Sequence, residues 1–346
     1  MLETRVVLAA SAPPADVHDV ALLDLDGVVY VGPHAVPGAA EAIEAAAARG
    51  LRSVYVTNNA SRTPSMVASH LRELGVPAQD RDVVSSAQIA AGILAERLDP
   101  GAAVLVVGGA GLVEALIAEG LRPVRSTDDA PLAVVQGFAP EVGWHELAEG
   151  ARAVRSGLLW VATNLDLIIP TANGPAPGNG ALVDAVAAAA GRRPDVVAGK
   201  PRPEAFQGAA ARAGSRRPIV VGDRLDTDLE GARAAGIPGL LVLTGITGVS
   251  ELLGCPPEAR PDLVGRDLGA LLAAHPQAVV DDRGTGRCRD ATVCADGTVE
   301  QRGADILDLL RAACAAAWAA DGRADAVVEP VLAAVRSLEP DASWAR

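Results

Sequence analysis

Val20-Ala21-Leu22-Leu23-Asp24-Leu25-Asp26-Gly27 runs four apolar residues straight into two acids and a glycine. A short, unbroken apolar run of this kind marks a strand buried on both faces, as in a parallel sheet. Two carboxylates at i and i+2 past its end can face one cleft if the backbone turns, and Gly27 permits that turn. One acid so placed can act as a nucleophile, and a second can move a proton. An acidic turn on the surface is the plainer alternative, but a strand this apolar rarely stops at two unpaired acids for structural reasons.

Outward from this stretch, short apolar runs alternate with Ala-rich helical segments, the rhythm of an α/β fold with a parallel sheet. A helix is expected at about 38–49, a strand at 53–57 and a helix near 64–74. Further strands are expected at 104–107, 132–135, 158–162, 218–221 and 239–243. Residues 163–180, rich in Asn, Pro and Gly, show no period and read as a long functional loop. Beyond about 270 the pattern changes to a hairpin around Ala295-Asp296-Gly297-Thr298 and an Ala-rich helix over 303–320, expected to form a separate small unit.

Open parallel sheets bind ligands beyond the C-terminal ends of their strands, and three more motifs lie there. Gly222-Asp223-Arg224-Leu225-Asp226-Thr227-Asp228 follows one strand. Asp223 and Asp228 offer oxygen ligands to a hard cation, while Asp226 or Asp228 as a simple helix cap is the alternative. Thr57-Asn58-Asn59 offers a hydroxyl, amides and backbone N–H groups, and Gly199-Lys200-Pro201 places a lysine in a turn before a helix. Each alone reads equally well as a solvated turn. Gly108-Gly109-Ala110-Gly111 lacks the full dinucleotide fingerprint and reads as an ordinary turn.

Taken together and in this order, the four motifs closely resemble the haloacid dehalogenase-like superfamily, over about residues 18–265. Asp24-Leu25-Asp26-Gly27-Val28-Val29-Tyr30, Thr57-Asn58-Asn59 and Gly199-Lys200-Pro201 look like its subclass IIA, which includes nitrophenyl-phosphatases and phosphoglycolate phosphatases. The resemblance implies a Rossmann-like core at 1–85 and 183–270 and an inserted α/β cap of the C2 type at 86–182; residues 271–346 lie outside it and read as a small α+β extension. It implies hydrolysis of a small phosphate monoester with Mg²⁺ through an aspartyl-phosphate. Asp24 would be the nucleophile and a magnesium ligand. Asp26 would be the general acid and base, its carbonyl also binding the metal. Thr57, Asn58, Asn59 and Lys200 would hold the phosphoryl oxygens, with Asp223 as a further metal ligand and Asp228 behind it.

In relatives the Thr163–Asp166 region and the residues after it contact the leaving group. Here Ile168, Ile169, Pro170 and Thr171 carry little charge, so a small leaving group is expected. The layout resembles actinobacterial glycerol 3-phosphate phosphatases. Phosphoglycolate phosphatase, a broad nitrophenyl-phosphatase-like activity, and a silent phosphometabolite-binding protein are the alternatives. Relatives often pair through their caps, so a homodimer is also implied.

Composition bounds the rest. Half of the 346 residues are hydrophobic but only 2% are aromatic, so the core must be filled by Ala, Val and Leu. A formal charge of −13 argues against a nucleic-acid or anionic-lipid partner. Four cysteines without a C-x-x-C pair imply reduced thiols rather than a disulfide framework. The apolar run after Arg5 is about half of what a signal peptide needs, and Pro13-Pro14 ends it. No run approaches the roughly 20 apolar residues of a membrane span, so a cytoplasmic protein is expected.

Overall fold

The computed structural model describes residues 4–171, 174–301, 305–319, 325–340 and 344. It divides into two compact units, one of Met1–Ser53 with Ser215–Arg346 and one of Val54–Gly214.

The first unit is built on parallel strands in the order Leu263–Gly265, Gly239–Val242, Pro218–Gly222 and Val20–Leu23. All four residues of Val20–Leu23 are buried, as expected of an interior strand covered on both faces. Val221 lies opposite Leu23 on one side and Leu240 on the other. This register brings three strand C-termini level, ending at Leu23, Gly222 and Val242.

The same unit holds an antiparallel sheet of Thr4–Leu8, Ala278–Asp281, Gly286–Cys288, Ala291–Val293 and Val299–Gln301. The expected hairpin is present, with Val293 opposite Val299, and the expected helix spans Ile306–Ala319. The apolar run after Arg5, read as too short for a signal peptide, is an edge strand, with Thr4 paired to Asp281. One expectation needs correction: the region beyond 270 does not stand apart. Its buried Leu309, Leu310 and Trp318 join one hydrophobic cluster with Leu241, Val249, Leu252 and Val264. The reason is physical: one face of a small sheet and two Ala-rich helices bury too little alone, and they borrow the core's edge. A further helix, Asp325–Leu338, was not anticipated, because Pro330 inside it reads as a helix breaker.

The second unit carries its own five-stranded parallel sheet, ordered Val196–Val197, Leu159–Ala162, Ala133–Gln136, Ala103–Val107, Arg122–Val124. In chain order this is the flavodoxin-like 2-1-3-4-5 arrangement. Helices Ser86–Ala95 and Ala110–Ala118 pack on one face, and Trp144–Arg155 and Asn179–Ala190 on the other. Residue 182 lies inside the last of these. Also in this unit, Thr57 at the end of Arg52–Thr57 lies opposite Ser85 of Val83–Ser85.

Residues 163–180 are not a structureless loop. Ile168–Thr171 and Gly174–Pro177 form an antiparallel hairpin, hidden from sequence reading because two prolines, Pro170 and Pro175, fall opposite each other in it.

Candidate active site

The motifs divide between the two units. In the first, Asp24 is the residue immediately past Val20–Leu23, and its N–H donates to the Val221 carbonyl at 2.9 Å, which continues the sheet by one residue. The chain then turns tightly: the N–H groups of Val29 and Tyr30 both donate to the Leu25 carbonyl, at 2.9 and 3.1 Å. Asp26 lies on this turn and is exposed, whereas Asp24 is 7% exposed. Two acids two residues apart thus sit in different surroundings.

Asp223 follows Pro218–Gly222, and Asp228 lies in the π-helical turn Leu225–Leu229. That turn separates its acids. Asp226 points to solvent and pairs with Arg224 at 2.8 Å, so it is the surface acid. Asp228 is fully buried and accepts from the Arg224 N–H at 3.3 Å. Carboxylate oxygens of Asp24, Asp223 and Asp228 all lie within 4.8 Å of one another. Asp228, expected only to stand behind the metal, is therefore as much part of the acidic cluster as the other two.

Three buried carboxylates at this spacing repel strongly, and a cation removes the cost. The donors are all hard oxygens, the set that Mg²⁺ takes. The residues therefore fit that ion. Two glycines show how tightly the cluster is built. A Cβ at Gly27, whose φ is +86°, would lie 2.4 Å from Asp223 Oδ2, and one at Gly245 only 1.9 Å from the same atom.

Gly245 belongs to an element that sequence reading passed over. The loop after Gly239–Val242 donates to Asp223 twice, from Ile246 N–H to Oδ2 at 2.7 Å and from Thr247 N–H to the backbone carbonyl at 3.2 Å. Thr244 Oγ1 donates to the Gly27 carbonyl at 2.5 Å. The signal was present, since this too is a loop at the C-terminal end of a parallel strand.

In the second unit the remaining motifs converge on Asn58. Its Oδ1 accepts from the Lys200 N–H at 2.9 Å, and its Nδ2 donates to the Lys200 carbonyl at 3.2 Å and to Asp166 Oδ2 at 3.1 Å. The Asn58 carbonyl accepts from Ser86 Oγ at 2.7 Å and from Asn164 Nδ2 at 2.8 Å. Ser86, fully buried, is a second residue the sequence did not single out. The Asn59 N–H donates to Thr57 Oγ1 at 3.1 Å, and Lys200 Nζ donates to the Val56 carbonyl at 3.3 Å. Thr57 and Asn59 are thus one hydrogen-bonded pair and Asn58 and Lys200 another, the two meeting in the consecutive residues Thr57-Asn58-Asn59. Ile169 lies apart from it in the hairpin and is half-buried, beside Ile168 at 61% exposure. The side chains of Pro170 and Thr171 lie outside the described residues.

A parallel α/β sheet with buried acids at adjoining strand ends makes a site for a hard cation and, with it, for chemistry on a phosphate ester. Residues 21–122 match the family model described as haloacid dehalogenase-like hydrolase, and residues 197–271 match a second, described as HAD-hydrolase-like. A D-glycerol 3-phosphate phosphatase from Mycobacterium tuberculosis is 47% identical over 315 residues, covering 88% of this chain and 87% of that protein. The crystal structure of glycerol phosphate phosphatase from the same organism, in complex with magnesium, matches with a TM-score of 0.81 at 43% identity over 92% of this chain and 98% of that one. The 4-nitrophenylphosphatase of Thermotoga maritima matches with a TM-score of 0.69 at 32% identity, over 75% of this chain and 98% of that one. The chain belongs to the haloacid dehalogenase-like hydrolase family, and it is a phosphatase of that family.

Proposed function

We propose that this protein hydrolyses glycerol 3-phosphate to glycerol and inorganic phosphate, with Mg²⁺ as cofactor and Asp24 as nucleophile. The observation that carries the reading is the buried trio Asp24, Asp223 and Asp228, in a chain 47% identical to a D-glycerol 3-phosphate phosphatase.

An Asp24 carboxylate oxygen attacks phosphorus, and the bond to the glycerol oxygen breaks. Asp26, exposed on the turn two residues on, gives its proton to the departing alkoxide. Asp26 then takes a proton from water, whose oxygen attacks the same phosphorus, and phosphate leaves as the Asp24 carboxylate is restored. Asp24, Asp223 and the Asp26 carbonyl would hold the magnesium ion, with the Asp228 carboxylate in the same cluster. That ion, when bound, offsets the negative charge shared by carboxylates and phosphate. Thr57 and Lys200 hold phosphoryl oxygens, Asn59 fixes the Thr57 hydroxyl, and Asn58 fixes Lys200. Such a site acts mainly by positioning and charge.

The leaving group meets Ile169 in our reading, and its lack of charge suits a glycerol moiety. Residues 86–182 act as the cap on a core of 1–85 and 183–270, with 271–346 appended. The separate sheet of the second unit supports this, four of its five strands falling within 86–182. The protein works in the cytoplasm as a homodimer, which light scattering tests directly. Among the described residues no helix is long and apolar enough to cross a membrane.

Phosphate release from glycerol 3-phosphate, phosphoglycolate and 4-nitrophenyl phosphate, with Mg²⁺ and with EDTA, tests the function. Metal-dependent turnover fastest on glycerol 3-phosphate is expected. A preference for phosphoglycolate would replace the substrate, and binding without release on every ester would replace the function.

A further inference from the structure

The region beyond 270 plays no part in the mechanism above, yet it leads by hydrogen bonds toward Asp223. The loop Thr244–Gly248 that holds Asp223 runs directly into the helix Val249–Gly254. A helix of six residues has almost no stability of its own, so its position is set by what it packs against. Here that is the C-terminal region. The Val249 N–H donates to the Trp344 carbonyl at 3.3 Å, and Trp318 Nε1 donates to the Leu252 carbonyl at 3.1 Å. Val249, Leu252 and Leu253 are buried in one cluster with Trp318, Val331, Val335 and Trp344. Trp344 is held in turn, 6% exposed, with the Arg266 guanidinium 5.9 Å from its ring centre. Arg266 itself pairs with Glu339.

Between Ile246, which donates to Asp223 Oδ2 at 2.7 Å, and Val249, which donates to Trp344, there are only two residues. Over so short a span a displacement at Val249 reaches Ile246 with little loss. We propose that Trp344 is a positioning residue for the metal centre, setting through Val249–Gly254 the loop that orients the Asp223 carboxylate. The C-terminal region is thereby a buttress of the metal site. The proposal rests on Asp223 being a magnesium ligand, as proposed above.

The test is Mg²⁺ binding to the full chain by titration calorimetry without substrate, with the unfolding temperature recorded for each protein. Trp344→Ala is expected to weaken Mg²⁺ binding by about tenfold, the low end of losses from outer-sphere partners of metal ligands, and Trp344→Phe to restore most of it. Arg266→Ala, which frees the ring from a half-exposed cation, should weaken binding less and in the same direction. A purely structural role would lower the unfolding temperature and leave the binding constant of the folded fraction unchanged, which overturns the proposal. If Trp344→Ala does not fold, Arg266→Ala decides, a shift supporting the buttress and no shift overturning it. Asp223→Asn separates the two claims. Unaltered Mg²⁺ binding in that variant would sink the metal-site reading itself, whereas its loss beside unaltered binding in the Trp344 and Arg266 variants would sink only the buttress.

Discussion

At the scale of single residues, the site depends on acids made unequal by their surroundings. Asp24, Asp223 and Asp228 are buried together, while Asp26 and Asp226 stand in solvent. A buried carboxylate trio is costly without a cation, and an acid exposed to solvent two residues from the nucleophile can exchange protons with water. Gly245→Ala tests the first half. The added Cβ would lie 1.9 Å from Asp223 Oδ2, so Asp223 must move. Mg²⁺ affinity should fall by about 10- to 100-fold, measured by the metal dependence of phosphate release. Wild-type metal dependence in that variant would show that Asp223 is not held as described. The motifs around Asp24, Asp223, Asn58 and Lys200 were legible in the sequence because polar and charged residues stand in fixed order directly past apolar runs. Ile246 was not, since it acts through its backbone N–H, which every residue except proline has.

Among the elements, buried parallel strands were the most readable part of the chain and the connections the least. Val20–Leu23 and Pro218–Gly222 are continuous apolar runs, so their ends could be placed to within a residue. Thr4–Leu8 could not be recognised as a strand, because its partner Ala278–Asp281 lies some 270 residues away in sequence. Nothing local records such a pairing. The junction it belongs to carries a pH dependence. His275 is buried and bonds the Ala270 carbonyl at 3.0 Å, while its backbone exchanges hydrogen bonds with Ser11 at 2.8 and 2.9 Å. Burial holds its imidazole below the ordinary value of 6.5, against the help of the Ala270 carbonyl and with Arg311 adding to the effect. The unfolded chain therefore takes up a proton near pH 6.5 that the folded chain refuses. The stability this provides is complete above that pH and is lost as pH falls toward the lowered folded value. The unfolding temperature should drop between pH 7 and 5, and His275→Gln should flatten that slope. An unchanged slope in the variant would assign the acid sensitivity elsewhere.

On the scale of the whole molecule, a net charge of −13 does not oppose anion chemistry, provided the substrate is met by a cation and by local donors. Metal binding and folding of the first unit are then linked. At one hundred times its dissociation constant, Mg²⁺ should stabilise the unit by about 2.7 kcal/mol, a rise of roughly 5 to 11 °C in its unfolding temperature. Calorimetry with and without EDTA measures it, and Asp223→Asn should abolish the rise. Equal shifts in both proteins would place the bound ion away from the carboxylate trio. The most direct test of the central claim is acid quenching of the enzyme during turnover of glycerol 3-phosphate, followed by mass spectrometry of its peptides. A phosphoryl group on Asp24 of the wild type is predicted, with Asp24→Asn carrying none and losing at least about a thousandfold in turnover. Turnover retained by Asp24→Asn, or a phosphoryl group on any other residue, would contradict the account.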